Sequence, residues 1–139
     1  MKKEKGFTLI ELLLVIAIIL MLGASSAVFY SRFINQNSVS NISDDITEEM
    51  HKAQIYAMMG KNNSNWGVKL VGSTLTLFSS ASSAFDENFS IASAISISGL
   101  TTVNFTKITG LPDATPTITI SGGGNSKTLT VNSQGVINR

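Results

Sequence analysis

The 139-residue chain has a formal net charge of +1, 43% hydrophobic residues and a mean hydropathy of +0.25. That length holds one globular domain at most beside an anchor, and the balanced charge gives no electrostatic footprint for nucleic acid. The absence of cysteine excludes disulfide staples and thiolate chemistry, so any folded part must rest on core packing and neighbours.

A short basic head opens the chain: Lys2, Lys3 and Lys5 against Glu4. Gly6, Phe7, Thr8-Leu9-Ile10 and Glu11 follow, and from Leu12 to Tyr30 there is no charged residue. Phe7 to Tyr30 reaches the roughly 18–20 apolar residues that a spanning helix needs. Glu11 is the lone exception, and an ionisable group at that depth is costly enough to mark a functional site. An ordinary secretory signal is cut after its apolar region. Here Gly6 precedes the run, and no small-x-small site stands before Ala24.

Gly6, Phe7, Thr8-Leu9-Ile10 and Glu11, together with the apolar run behind them, resemble the N-terminus of type IV prepilins and of type II secretion pseudopilins. The resemblance implies that residues 1–6 are a leader peptide. A prepilin peptidase would cut Gly6–Phe7 on the cytoplasmic face and methylate the new Phe7 amine. Residues 7–30 would be a transmembrane helix first and filament core later. Glu11 would serve filament assembly by pairing with the Phe7 amine of a neighbouring subunit, because an opposite charge offsets much of the cost of a carboxylate in hydrocarbon. The implied partners are other pilins or pseudopilins in a helical filament, the prepilin peptidase, an inner-membrane assembly platform and, before assembly, the lipid membrane. The implied location is the bacterial inner membrane, single-pass, with the globular part outside the cytoplasm, then a pilus or pseudopilus. The lysines fit that orientation, and they would equally fit an uncleaved signal anchor.

Residues 31–60 read as the amphipathic half of the same helix. Ile42, Ile46, Met50, Ala53 and Ala57 recur at three- and four-residue steps, with Asp44, Asp45, Glu48, Glu49 and Lys52 between them as solvated positions. Met50, Met58 and Met59 read as core filler, and His51 as a satisfied or solvent-facing side chain rather than a base. The expected helix runs from about Phe7 to Met59, with a kink near Gly23 or Asn35-Gln36-Asn37. Gly60 and Asn62-Asn63 stop it. No proline precedes Pro112, so Gly23 is the strong weak point of the anchor half.

Residues 61–139 change to short strands rich in Ser, Thr, Asn and Gly. Alternation predicts strands at Trp66–Leu70, Thr74–Phe78, Phe89–Ile97, Thr102–Thr106, Ile118–Ser121 and Thr128–Val131, closed by Val136-Ile137. Val71-Gly72-Ser73 and Gly122-Gly123-Gly124-Asn125 read as hairpin turns. The expected fold is α+β and pilin-like: a long N-terminal helix packed on an antiparallel sheet of six or seven strands.

Diffuse features of this part are similar to the H-type pseudopilin, FimT-like branch. They are Ala53-Gln54-x-x-Ala57, Val68-x-Leu70, Phe105 followed by Gly110, the paired strands around Gly122, and Gly135-Val136-Ile137. No nucleophile, base and orienting group can be proposed together, and no phosphate-binding or metal-binding motif occurs, so an enzyme, a cofactor and a metal site are not expected. The expected function is a structural subunit: a minor pilin or pseudopilin of a type IV pilus or a type II secretion filament. The alternative is a DNA-binding minor pilin of a competence pilus. Its basis here is narrow, Arg139 with Lys127 nearby, whereas useful affinity needs several phosphate contacts.

Overall fold

The structure, a computed structural model, describes residues 6–139, with the backbone alone for 24–29, 31 and 32. Lys2, Lys3, Glu4 and Lys5 of the expected leader lie outside the described residues, as do the side chains of Ala24 to Ala27. The fold is α+β. Helix α1 covers Leu9–Met58 without interruption at Gly23 or at Asn35–Asn37. Its start is two residues later than Phe7, and its end one residue before Met59. Two compact units divide the chain, 1–34 and 35–139.

In the second unit, α1 stops where the sequence loses helical character. Gly60 takes a left-handed φ of 62°, and its N–H donates to the Ala57 carbonyl at 2.9 Å. That conformation closes the last turn at little steric cost for glycine. Eight strands follow among the described residues: β1 (Trp66–Val71), β2 (Thr74–Ser79), β3 (Glu87–Ser90), β4 (Ser96–Ser98), β5 (Thr102–Phe105), β6 (Thr117–Gly122), β7 (Asn125–Val131) and β8 (Ile137–Asn138). They form two antiparallel sheets, ordered β3-β2-β1-β5 and β4-β6-β7-β8.

This corrects the expectation of a single sheet. The stretch Phe89–Ile97, expected to be one strand, is the crossing point between the two. It leaves β3 after Ser90, makes a turn closed by Ile95 N–H to the Ala92 carbonyl at 2.9 Å, and enters the other sheet as β4. Ile91 and Ile95 at either end of that turn are both buried. The turn passes the chain from one sheet to the other while both apolar ends stay in the shared core.

One core joins the elements. Val39, Ile46, Met50, Ala53 and Ala57 of α1 meet Trp66, Val68, Leu75, Leu77, Val103 and Phe105 of the first sheet and Ile118, Ile120, Leu129 and Val131 of the second. The three- and four-residue spacing of the helical members is what aligns them on one face. Met58 and Met59, expected in the core, are instead 53% and 73% exposed, because the helix ends and their positions turn away from that face. Glu49, expected in solvent, is buried.

The outer edge of β5 is closed by its own downstream loop. Asn104 N–H donates to Asp113 Oδ1 at 2.8 Å and the Asn104 side-chain amide to Asp113 Oδ2 at 2.8 Å. Asp113 N–H returns a bond to the Asn104 carbonyl at 2.9 Å, next to a Phe105–Pro112 bridge.

Candidate processing and assembly site

The first unit is built around the start of α1. Gly6, Phe7 and Thr8 are outside the helix, and Gly6 and Phe7 are exposed, Phe7 at 79%. The Thr8 carbonyl accepts from the N–H groups of Glu11 and Leu12 at 3.1 and 3.2 Å, which opens the helical ladder. The Thr8 hydroxyl oxygen also accepts from Glu11 N–H at 3.3 Å. Thr8 is thus the N-cap, and Glu11, three residues on, is the acidic residue of the first turn. A carboxylate there is favoured by the positive end of the helix dipole and by the unpaired N–H groups that dipole represents.

Behind Glu11 the described apolar side chains from Leu12 to Leu22 are exposed on every side of the helix, from 45% at Val15 to 77% at Met21. A helix that is apolar all round needs lipid or other helices around it. Among the described residues no helix is long and apolar enough to cross a membrane. The uncharged run of the sequence passes through 24–29, whose side chains lie outside those described.

The structure therefore brings the three sequence-derived site residues, Gly6, Phe7 and Glu11, into one short segment: an exposed non-helical junction and a carboxylate one turn inside the helix. Sequence reasoning missed the role of Thr8. The signal was present, because a Thr followed three residues later by Glu before an apolar run is the capping-box pattern.

The second unit shows what became of its own candidates. Gln54 is the hub of the scattered branch features. Its side-chain amide donates to the Gly110 carbonyl at 3.0 Å and to the Gln134 carbonyl at 2.9 Å. Gly110 and Gly135 stand against it with φ of 65° and 79°. A Cβ at Gly135 would overlap the Gln54 amide, and one at Gly110 would overlap Met58. Ala53-Gln54-x-x-Ala57, Gly110 and Gly135 are thus parts of one joint that ties two loops to the helix. Phe105, which a Cβ at Gly135 would also touch, borders it.

Several charged groups of this unit pair with one another. Lys52 lies between Glu49, at 3.9 Å, and Glu87 of β3. Burial raises the Glu49 carboxyl above its ordinary range, and Glu87, Glu48 and Asp45 push the same way while Lys52 opposes. The hydrogen bond to Glu87 raises Lys52. Asp86 pairs with Lys69 at 3.5 Å, so the adjacent acidic pair Asp86-Glu87 serves two different lysines. Lys61 Nζ stands 3.5 Å from the Tyr56 ring centre and 5.0 Å from that of Trp66. Arg139, the leading residue of the nucleic-acid alternative, pairs with Asp44 at 3.0 Å. His51 is exposed, and among the described residues no group of acidic or histidine side chains could hold a metal ion.

Residues 1–27 match the family model described as the prokaryotic N-terminal methylation motif. The match supports a prepilin-type substrate of a prepilin peptidase. No curated protein and no solved structure matches the chain.

Proposed function

We propose that the chain is a structural subunit, a minor pilin or pseudopilin of a type IV pilus or type II secretion filament. Cleavage at Gly6–Phe7 and methylation of the Phe7 amine would be followed by assembly through residues 7–30. The observation that carries this reading is a juxtaposition: an exposed, non-helical Gly6-Phe7 junction directly before an all-round apolar helix whose first turn holds Glu11. In this reading residues 1–6 are the leader, 7–30 anchor the subunit in the inner membrane, 31–60 dock it on its own sheets, and 61–139 lie outside the cytoplasm.

Glu11 separates this function from that of a plain membrane anchor. Staggered neighbours in a filament let the amine of an incoming subunit meet the Glu11 of a docked one. Two unit charges at about 4 Å attract by roughly 4 kcal/mol at an effective dielectric near 20. Desolvation cancels part of this, and about 1.4 kcal/mol already shifts an equilibrium tenfold. Glu11→Ala removes a carboxylate from the membrane, so membrane abundance and Gly6–Phe7 cleavage should stay at wild-type level. Incorporation into filaments, read by crosslinking to partner subunits, should fall tenfold or so. Normal incorporation at normal abundance would refute the assembly role. In the same assay Gly6→Val should leave the leader attached, as read by intact mass of the membrane fraction.

A further inference from the structure

Thr8 closes the helix at a position that matters for the chemistry proposed at Gly6–Phe7. An N-cap residue takes non-helical backbone angles, so whatever precedes it is held outside the helix. The bond to be cut lies two residues before Leu9, the first helical residue. A peptide bond inside a helix has its carbonyl or its N–H engaged by the neighbouring turn, and a protease cleft cannot take it extended. Nothing else near the junction would resist extension of the helix strongly. Lysine and glutamate, which fill most of the head, are good helix formers, and only Gly6 opposes them.

We infer that Thr8 is a positioning residue for leader removal: its hydroxyl, bonded to Glu11 N–H, fixes the helix start at Leu9 and so keeps the Gly6–Phe7 bond outside the helix and open to the peptidase. The inference rests on the processing reading above. It assigns Thr8 no contact with the peptidase. Its effect is on the fraction of chains whose junction is competent, and the apparent rate scales with that fraction. The same cap holds Glu11 in the first turn, so one hydroxyl sets both the cut site and the position of the assembly carboxylate.

Cap strength and side-chain shape give opposite orders of substitution, which makes the idea testable. Asn and Ser cap at least as well as Thr, although Asn differs from it in shape; Val has nearly the shape of Thr and does not cap. The full chain, in membranes that contain a prepilin peptidase, would be followed by pulse-chase with intact mass. Thr8→Ser and Thr8→Asn should be processed within about twofold of wild type. Thr8→Val should be slower by about threefold or more, within the two- to thirtyfold effect that loss of a cap has on a helix equilibrium. Amide exchange of the uncut chain is the second readout: a helix extended across the junction bonds the Glu11 N–H to the Phe7 carbonyl, so that N–H should exchange more slowly, by about threefold or more, in Thr8→Val, and at the wild-type rate in the Ser and Asn variants. Thr8→Val processed as fast as wild type would overturn the inference, as would Thr8→Asn slowed as much as Thr8→Val, which would mean that the peptidase reads the threonine itself. A wild-type chain that keeps its leader would overturn the processing reading and this inference together.

Discussion

Ile16 and Ile46 are the same residue type on the same helix, yet Ile16 is 46% exposed and Ile46 is fully buried. The difference is in what surrounds each in sequence. Around Ile16 the apolar residues are continuous, so every face of the helix is apolar and none is singled out for the chain's own core. Around Ile46 they recur at three- and four-residue steps, so one face is apolar and two sheets cover it. Continuous apolar sequence specifies a surrounding that the chain does not itself supply. Periodic apolar sequence specifies a partner within the chain.

Truncating one residue of each kind sharpens this comparison, and it gives the largest expected effect. Ile46→Ala should destabilise the globular unit by about 2–5 kcal/mol, the usual range for an apolar side chain lost from a packed core. Ile16→Ala should leave the thermal melt of that unit unchanged. Melting of the full chain in detergent, followed by the near-ultraviolet signal of the buried Trp66, measures both. Equal shifts would break the distinction between the two regions.

The next effect lies within the globular unit. Gln54→Leu leaves the Gly110 and Gln134 carbonyls without their donor and should cost about 1–2 kcal/mol. Gly135→Ala acts on the same joint, through a φ of 79° and an overlap with the Gln54 amide. Because the two changes share a contact, the double variant should be destabilised by less than the sum of the singles. Chemical denaturation of all three variants tests this, and strict additivity would show that Gln54 and Gly135 act separately.

The smallest effect concerns Glu49. A carboxyl raised in the folded state favours its protonated form there, so it stabilises the fold at low pH and loses that contribution as pH rises through the folded value. Glu49→Gln imitates the protonated form. It should therefore raise the melting temperature at neutral pH, and the gain should shrink as pH falls into the ordinary carboxylate range. A gain that persists at acid pH would mean that the Lys52 and Glu87 contacts, not the charge on Glu49, were changed.

Much of the fold was legible because its elements are punctuated. Gly60, Gly72-Ser73 and Gly123-Gly124 sit at real stops and turns, and the strand limits between them fall within about two residues of expectation for β1, β2, β5 and β6. The division into two sheets was not legible. Phe89 to Ile97 alternates well enough for a single strand, and what breaks it is pairing with distant partners, β3 with β2 in one sheet and β4 with β6 in the other. Glu49 was misread for a similar reason. Its helix position looked polar, while one of the charges acting on it, Glu87 of β3, arrives from 38 residues downstream. At the candidate site, Gly6, Phe7 and Glu11 were readable from local pattern alone, since nothing distant contributes to them. Thr8 was readable too, as half of a capping box.

The closed edge of β5 has a consequence for how such chains behave when crowded. A strand that ends a sheet offers unpaired N–H and C=O groups to any neighbour, and identical chains held side by side would tend to zip together through them. Asp113 occupies those groups on Asn104 with its own backbone and carboxylate. The other sheet ends are poor templates as well. β3 is four residues long and begins at Glu87, which is bound to Lys52, while β4 and β8 are three and two residues long. Copies of this unit can therefore be crowded at high local density with little tendency to pair laterally through their sheets.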